Sequence, residues 1–199
     1  METISGKRIL HVDETAFKAW LGQSTQVWMD IGTGDGQFVV RSARQHPGIA
    51  VIGVDTCRVN LIGASRRAPG NALFVIANAY SLPSELAGLA SRLTIHFPWG
   101  SLLEGILAED ERLLASLRGV TRPGALVEVH LNESALVESG WALQSGGEQA
   151  HRVFAKAGLR VKMVTALSAN DLRRCPTTWA KRQAFGRKPA AVYLSGSWS

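Results

Sequence analysis

Apolar positions along the chain fall into short, nearly continuous runs, separated by stretches of helical period. KRILHV reads as a short opening strand able to pair with ETIS in a hairpin over residues 1–12, and DETAFKAWLGQ reads as a helix capped by Asp13. Seven further strands are predicted at TQVWMDIG, IAVIGVD, ALFVIAN, RLTIHF, ALVEVHL, LRVKMVTAL and AAVYLSGS. Between them GQFVVRSARQH, RVNLIGASRRA, EQAHRVFAKAG and TWAKRQAFGR keep a helical period. SELAGLA predicts a short helix, and SLLEGILAEDERLLASLRGV a long one with room for a break. Strands of continuous apolar character alternating with helices predict an α/β fold, a mostly parallel sheet covered on both faces. The last strand has no helix behind it, which allows it to run antiparallel. The longest linker, Asn132 to Gly147, is read as a surface insertion with room for a short helix, within a single domain spanning 1–199.

A chain of 199 residues that is 46% apolar can bury one sizeable core. No run approaches the roughly 18–20 apolar residues that span a bilayer, and METISGKRILHVDETAF lacks the apolar segment of a signal peptide, so a cytoplasmic protein is expected. Cys57 and Cys175 lie far apart. His11, His46, His96, His130 and His151 show no paired ligand spacing, so no metal is expected. The net charge of +6 is concentrated at one end, because residues 151–199 hold ten Lys and Arg against one Asp. The clusters LRRC and WAKRQAFGRK have the density of a phosphate-binding surface.

Chemistry enters at the end of the first long strand, which reads Asp30-Ile31-Gly32-Thr33-Gly34-Asp35-Gly36. In a doubly wound sheet, ligands bind at such strand ends. A dinucleotide fingerprint would need Gly at Gln37, and no Lys-Ser/Thr follows for a nucleotide triphosphate loop. Glycines admit a close backbone approach, the helix start favours a carboxylate, and Asp30 suits an ammonium rather than a pyrophosphate. Asp55, 25 residues later, ends the next strand, where a carboxylate accepts from both ribose hydroxyls. Carboxylate, ammonium and ribose without phosphate describe S-adenosylmethionine. The pattern resembles the Rossmann-like class I methyltransferases, which implies a seven-stranded sheet with its last strand antiparallel.

In that architecture the fourth strand faces the methyl donor, and IHFPWG falls there. Amine-methylating relatives carry a polar residue before the proline; here it is Phe97, so the loop offers an aromatic face and no base. That suits a ring nitrogen whose lone pair attacks without losing a proton, needing only in-line placement in a dry site. Trp179 stands among cations on the polar side of its predicted helix, grouped with Arg182 and Gln183. Trp20, Trp28, Trp141 and Trp198 are read as core or half-buried.

FPWGSLLEG, DIGTGDG and TTWAKRQAFGRKP together resemble the aminoglycoside-resistance 16S rRNA (adenine(1408)-N1)-methyltransferases of the KamB/NpmA type, over nearly the whole chain. The resemblance implies that Asp30, Gly32, Gly34 and Asp55 bind S-adenosylmethionine, with Asn78, Ala79, Tyr80, Ser101 and Thr177 lining its pocket. It implies that Trp99 and Trp179 stack on a flipped adenine, and that S-adenosylhomocysteine is released. Lys181, Arg182, Arg187 and Lys188, with Lys7, Arg66 and Arg67 in support, would meet phosphates around helix 44 of 16S rRNA in the 30S subunit, the chain acting as a monomer. The sequence departs from the family in four places. Tyr80 stands where an acidic residue is expected near the donor adenine, Pro189 replaces a basic residue, and the linkers Ala64–Asn71 and Asn132–Gly147 are shorter and less basic. The residues leave open a same-fold methyltransferase acting on another RNA or a small molecule, and a ribosome-binding protein without efficient turnover.

Overall fold

The chain opens with Glu2–Ser5 (β1) and Arg8–His11 (β2), which form the expected hairpin. Asp13 caps Glu14–Leu21 (α1) by accepting from the Ala16 N–H at 2.8 Å. The alternation then runs through Val27–Ile31 (β3), Gln37–Gln45 (α2), Ala50–Asp55 (β4), Arg58–Ser65 (α3), Ala72–Ile76 (β5) and Ala90–His96 (β6). Gly100–Leu107 (α4), Glu111–Gly119 (α5), Thr121–Asn132 (β7), Glu133–Glu138 (α6), Leu143–Lys156 (α7), Leu159–Leu167 (β8), Ala169–Arg174 (α8) and Ala191–Trp198 (β9) complete it. This computed structural model describes residues 1–174, 177 and 190–198. The helix expected over 178–187 lies outside the described residues.

The sheet has the order β2-β1-β5-β4-β3-β6-β7-β9-β8. Strands β3 to β7 are parallel, and β9 runs antiparallel between β7 and β8. The expected seven strands with an antiparallel last one are therefore present. Among the described residues the hairpin widens the sheet to nine strands, because Thr3 of β1 pairs with Val75 of β5. Strands β2 and β8 form its two margins.

Two apolar layers close the sheet. One joins Phe17, Met29, Ile52, Leu93, Val129 and Phe154 with residues of α4, α5 and α7; the other joins Phe38, Val39, Val51, Leu61 and Phe74 under α2 and α3. Trp198 is 2% exposed, while Trp20, Trp28 and Trp141 are half-buried against these layers.

Two boundaries differ from expectation, at SELAGLA and at the start of β7, and two stretches take forms the sequence left open. SELAGLA supplies only a 3-10 turn, Ser84–Leu86, because Gly88 takes φ +66° and Ala90 already belongs to β6. The long helical run breaks at Glu109, φ +59°, and Asp110 starts α5 by accepting from the N–H groups of Arg112 and Leu113. Strand β7 begins at Thr121 rather than Ala125, through an irregularity at Arg122–Ala125 that shifts its register against β6. The stretch Asn132–Gly147, read as a surface insertion with room for a short helix, holds that helix as α6 and also the start of α7, and buries Ala135, Leu136, Gly146 and Gly147. Helix α8 was not expected. Among the described residues no helix is long and apolar enough to cross a membrane.

Candidate donor and target-base cleft

Strands β3, β4, β5 and β6 all end at one cleft of about 310 Å³, within the range of pockets that take a small molecule. Asp30, Gly32, Gly34, Asp55, Asn78, Ala79, Tyr80, Trp99, Ser101 and Thr177 all line it. The ten residues expected at the donor and base sites and described in the structure thus converge. They come from four strand ends, the start of α4, and Thr177 alone from the far end of the chain.

The glycine turn is shaped by what surrounds it. Gly32 and Thr33 donate to the Val54 carbonyl at 2.9 and 3.0 Å, bending the chain across the end of β4. Gly36 takes φ +66°, and a Cβ there would stand 2.5 Å from the Phe74 ring and 2.6 Å from Ala64. The Asp55 carboxylate holds the turn from the second strand, with Oδ2 accepting from the Gly34 N–H and Oδ1 from the Cys57 N–H, both at 2.8 Å. A carboxylate offers about four acceptor positions, so Asp55 retains two for a ribose diol.

Asp30 is only 2% exposed. Its Oδ2 accepts from the Thr33 hydroxyl at 2.7 Å, and its Oδ1 accepts from the Thr94 hydroxyl at 2.7 Å and lies 2.8 Å from His96 Nδ1. Three neighbours thus fix this carboxylate, leaving one acceptor position for an ammonium. Sequence reasoning missed Thr33, Thr94 and His96. The signal was present: Thr94 and His96 are two polar residues on one face of a strand predicted to be buried on both.

Behind His96 lies a stack. The His130 ring packs 4.8 Å from His96 at 23° and 4.8 Å from Tyr193, and Phe38 lies 4.4 Å from His96 on another side. Burial, with the nearby His96 and Arg92, holds His130 well below the usual histidine range, so it is neutral. Tyr193 donates to Glu128 at 2.7 Å, and burial together with that carboxylate pushes its phenol up to about 12. Glu128 also pairs with Arg92, whose guanidinium lies 4.6 Å from the Trp28 ring centre.

Trp99 is half-buried, packed against the main core and exposed to the cleft. Phe97 before it takes φ +52° and Gly100 after it φ +53°, so two left-handed residues bracket Pro98-Trp99 and turn the loop back into α4. Lys7, Arg66 and Arg67 lie outside the cleft, all exposed. The hairpin turn packs on the end of α3, where the Gly6 N–H donates to Ser65 Oγ at 3.0 Å and the Arg66 stem covers Gly6. Trp179, Lys181, Arg182, Arg187 and Lys188 lie outside the described residues. Among the described residues no three His, Cys, Asp or Glu converge to hold a metal ion.

The family model "NpmA: 16S rRNA (adenine(1408)-N(1))-methyltransferase" matches residues 2–197. A 16S rRNA (adenine(1408)-N(1))-methyltransferase of Escherichia coli is 29% identical, with 98% of each chain covered. One from Streptoalloteichus hindustanus is 33% identical over 92% of this chain and 91% of that protein. The crystal structure of 16S rRNA methyltransferase KamB superposes with a TM-score of 0.89 at 29% identity, covering all of both chains. A match over nearly every residue, on a fold whose cleft gathers the motif residues, leads to one assignment: the chain belongs to the NpmA family of 16S rRNA (adenine(1408)-N(1))-methyltransferases.

Proposed function

We propose that this chain transfers a methyl group from S-adenosylmethionine to N1 of adenine 1408 of 16S rRNA, in helix 44 of the 30S subunit, and acts as a cytoplasmic monomer. The observation that carries this reading is the shared cleft, in which the glycine turn, Asp55 and the Trp99 face meet at four strand ends.

The cleft fits the donor. The glycine backbone admits a methionine carboxylate, Asp30 keeps one acceptor position for its ammonium, and Asp55 keeps two for its ribose. When bound, S-adenosylmethionine supplies an electrophilic methyl group on a cationic sulfur. Adenine N1 presents a lone pair in the ring plane, so the chain needs no general base. Its task is to hold the base in line and exclude water. As the N1–methyl bond forms and the sulfur–methyl bond breaks, positive charge passes to the adenine ring, where an indole face favours it. Flipping the base costs a few kcal/mol, and each aromatic partner returns roughly 1–3 kcal/mol, so Trp99 and Trp179 together offset it. Lys181, Arg182, Arg187 and Lys188, with Lys7, Arg66 and Arg67, meet the rRNA phosphates.

The test is primer extension across helix 44 in cells expressing the chain, alongside kanamycin and apramycin susceptibility. A strong stop at adenine 1408 with raised resistance is expected, because N1 methylation blocks Watson–Crick pairing. A folded, donor-binding protein that gives neither result would overturn the reading and direct the search to another RNA.

A further inference from the structure

Gly105 stands inside α4, buried, at a position where an ordinary backbone conformation would accept any residue. Glycine is the poorest helix former after proline, so its presence there calls for a reason. The reason is Tyr80. A Cβ at position 105 would collide with Tyr80 Oη, stand 2.9 Å from Cζ of the same ring and 2.8 Å from Leu113. Through the space left open, Tyr80 Oη donates to the Ser101 carbonyl at 3.1 Å. That carbonyl is the one to which the N–H of Gly105 is directed in an α-helix, so the phenol reaches the helix where the side chain is missing.

One end of this contact is anchored, and the other leads into the loop that carries Trp99. On the donor side, the Tyr80 N–H donates to Asn78 Oδ1 at 3.0 Å, the Ser81 N–H to the Asn78 carbonyl at 2.9 Å, and the Leu82 N–H to Ser116 Oγ at 3.2 Å. On the other side, Ser101 is two residues from Trp99, which begins α4 without a side-chain cap, inside a loop with two left-handed residues. Burial, reinforced by Asp110, raises the Tyr80 phenol above its ordinary range, which keeps the proton it donates.

We propose that Tyr80 is a positioning residue that ties the loop after β5 to the first turn of α4, and so fixes the loop carrying Trp99 in register with the donor. An acidic residue at this position would accept from a ligand; the tyrosine instead donates to the protein and couples the two halves of the cleft. The calorimetric and kinetic arms of its test rest on the methyl-transfer reading; the exchange arm does not.

The experiment compares the full chain with Tyr80→Phe and Gly105→Ala. Hydrogen exchange of the free protein should speed up about tenfold in amides of residues 99–106 on losing one such bond, with protection elsewhere unchanged. Calorimetry with S-adenosylmethionine should give a donor affinity within about twofold of the original, while kcat on 30S subunits falls about tenfold. Gly105→Ala should give the same pattern, by displacing the phenol. Unchanged exchange at residues 99–106 overturns the proposal, and so does a donor affinity that falls as far as kcat, which would make Tyr80 a donor contact. If the original chain methylates no subunits, the function reading fails, and the exchange result alone decides the role of Tyr80.

Discussion

His96 Nδ1 lies 2.8 Å from Asp30 Oδ1, and with the Thr94 hydroxyl on the same oxygen it fixes the carboxylate that faces the donor cleft. Because Asp30 is buried, removing a neighbour exposes its charge to uncompensated desolvation. We expect His96→Leu to weaken S-adenosylmethionine binding about tenfold, the scale of one hydrogen bond to a charged group, and Thr94→Val to do so by a similar factor. Calorimetry checks both; unchanged affinity in both variants would mean that Asp30 does not meet the donor.

Trp99→Ala should cut methylation at least tenfold while leaving donor affinity within a few-fold, since stacking contributes roughly 1–3 kcal/mol. Its half-buried ring also supports the core, so melting temperature should fall as well. Trp99→Phe separates the two effects: it keeps an aromatic face and should retain most activity. Equal loss of donor binding and turnover in Trp99→Ala would assign the residue a structural role only.

His130 sets a pH dependence of stability. Its folded pKa is depressed mainly by burial, so below the unfolded value of about 6.5 the unfolded chain binds a proton that the folded chain refuses. Stability should therefore fall as pH drops from 7 toward 5. His130→Phe, which cannot titrate, should flatten that part of the curve in thermal melts across pH 5–7. An identical slope in the variant would refute the assignment.

Gly36→Ala should destabilise the fold by about 2–4 kcal/mol, combining a left-handed backbone with overpacking against Phe74 and Ala64. Chemical denaturation measures this directly. A neutral result would show that the turn relaxes freely.

Arg66→Glu with Arg67→Glu should weaken binding to 30S subunits and lower its salt sensitivity, because phosphate contacts release counterions. A loss independent of salt would indicate a folding defect instead.

The fold was legible because its strands are apolar on both faces and its helices keep period, from Val27 to Trp198. Chain breaks were harder. Glu109 lies in a run whose apolar spacing continues across it, and only the N-cap geometry of Asp110 marks the division. The cleft residues of DIGTGDG and FPWG were legible as motifs, since turn chemistry is local. Thr94 and His96 were not, because Asp30 meets them only through the pairing of β3 with β6, which no single segment contains; Thr33 lies within DIGTGDG, but its hydroxyl bond to Asp30 depends on how the turn folds back. Gly105 closes the motif FPWGSLLEG, yet its structural meaning comes from a ring 25 residues earlier.

The two margins of the sheet bear on how the protein behaves at high concentration. A free strand edge is a template for another chain's backbone, and long apolar edges invite aggregation. Here one margin, β2, is only four residues long, with exposed Arg8 and His11 beside Ile9 and Leu10. The other, β8, carries Arg160 and Lys162. Shortness at one edge and positive charge at the other make both margins poor templates for the backbone of another chain.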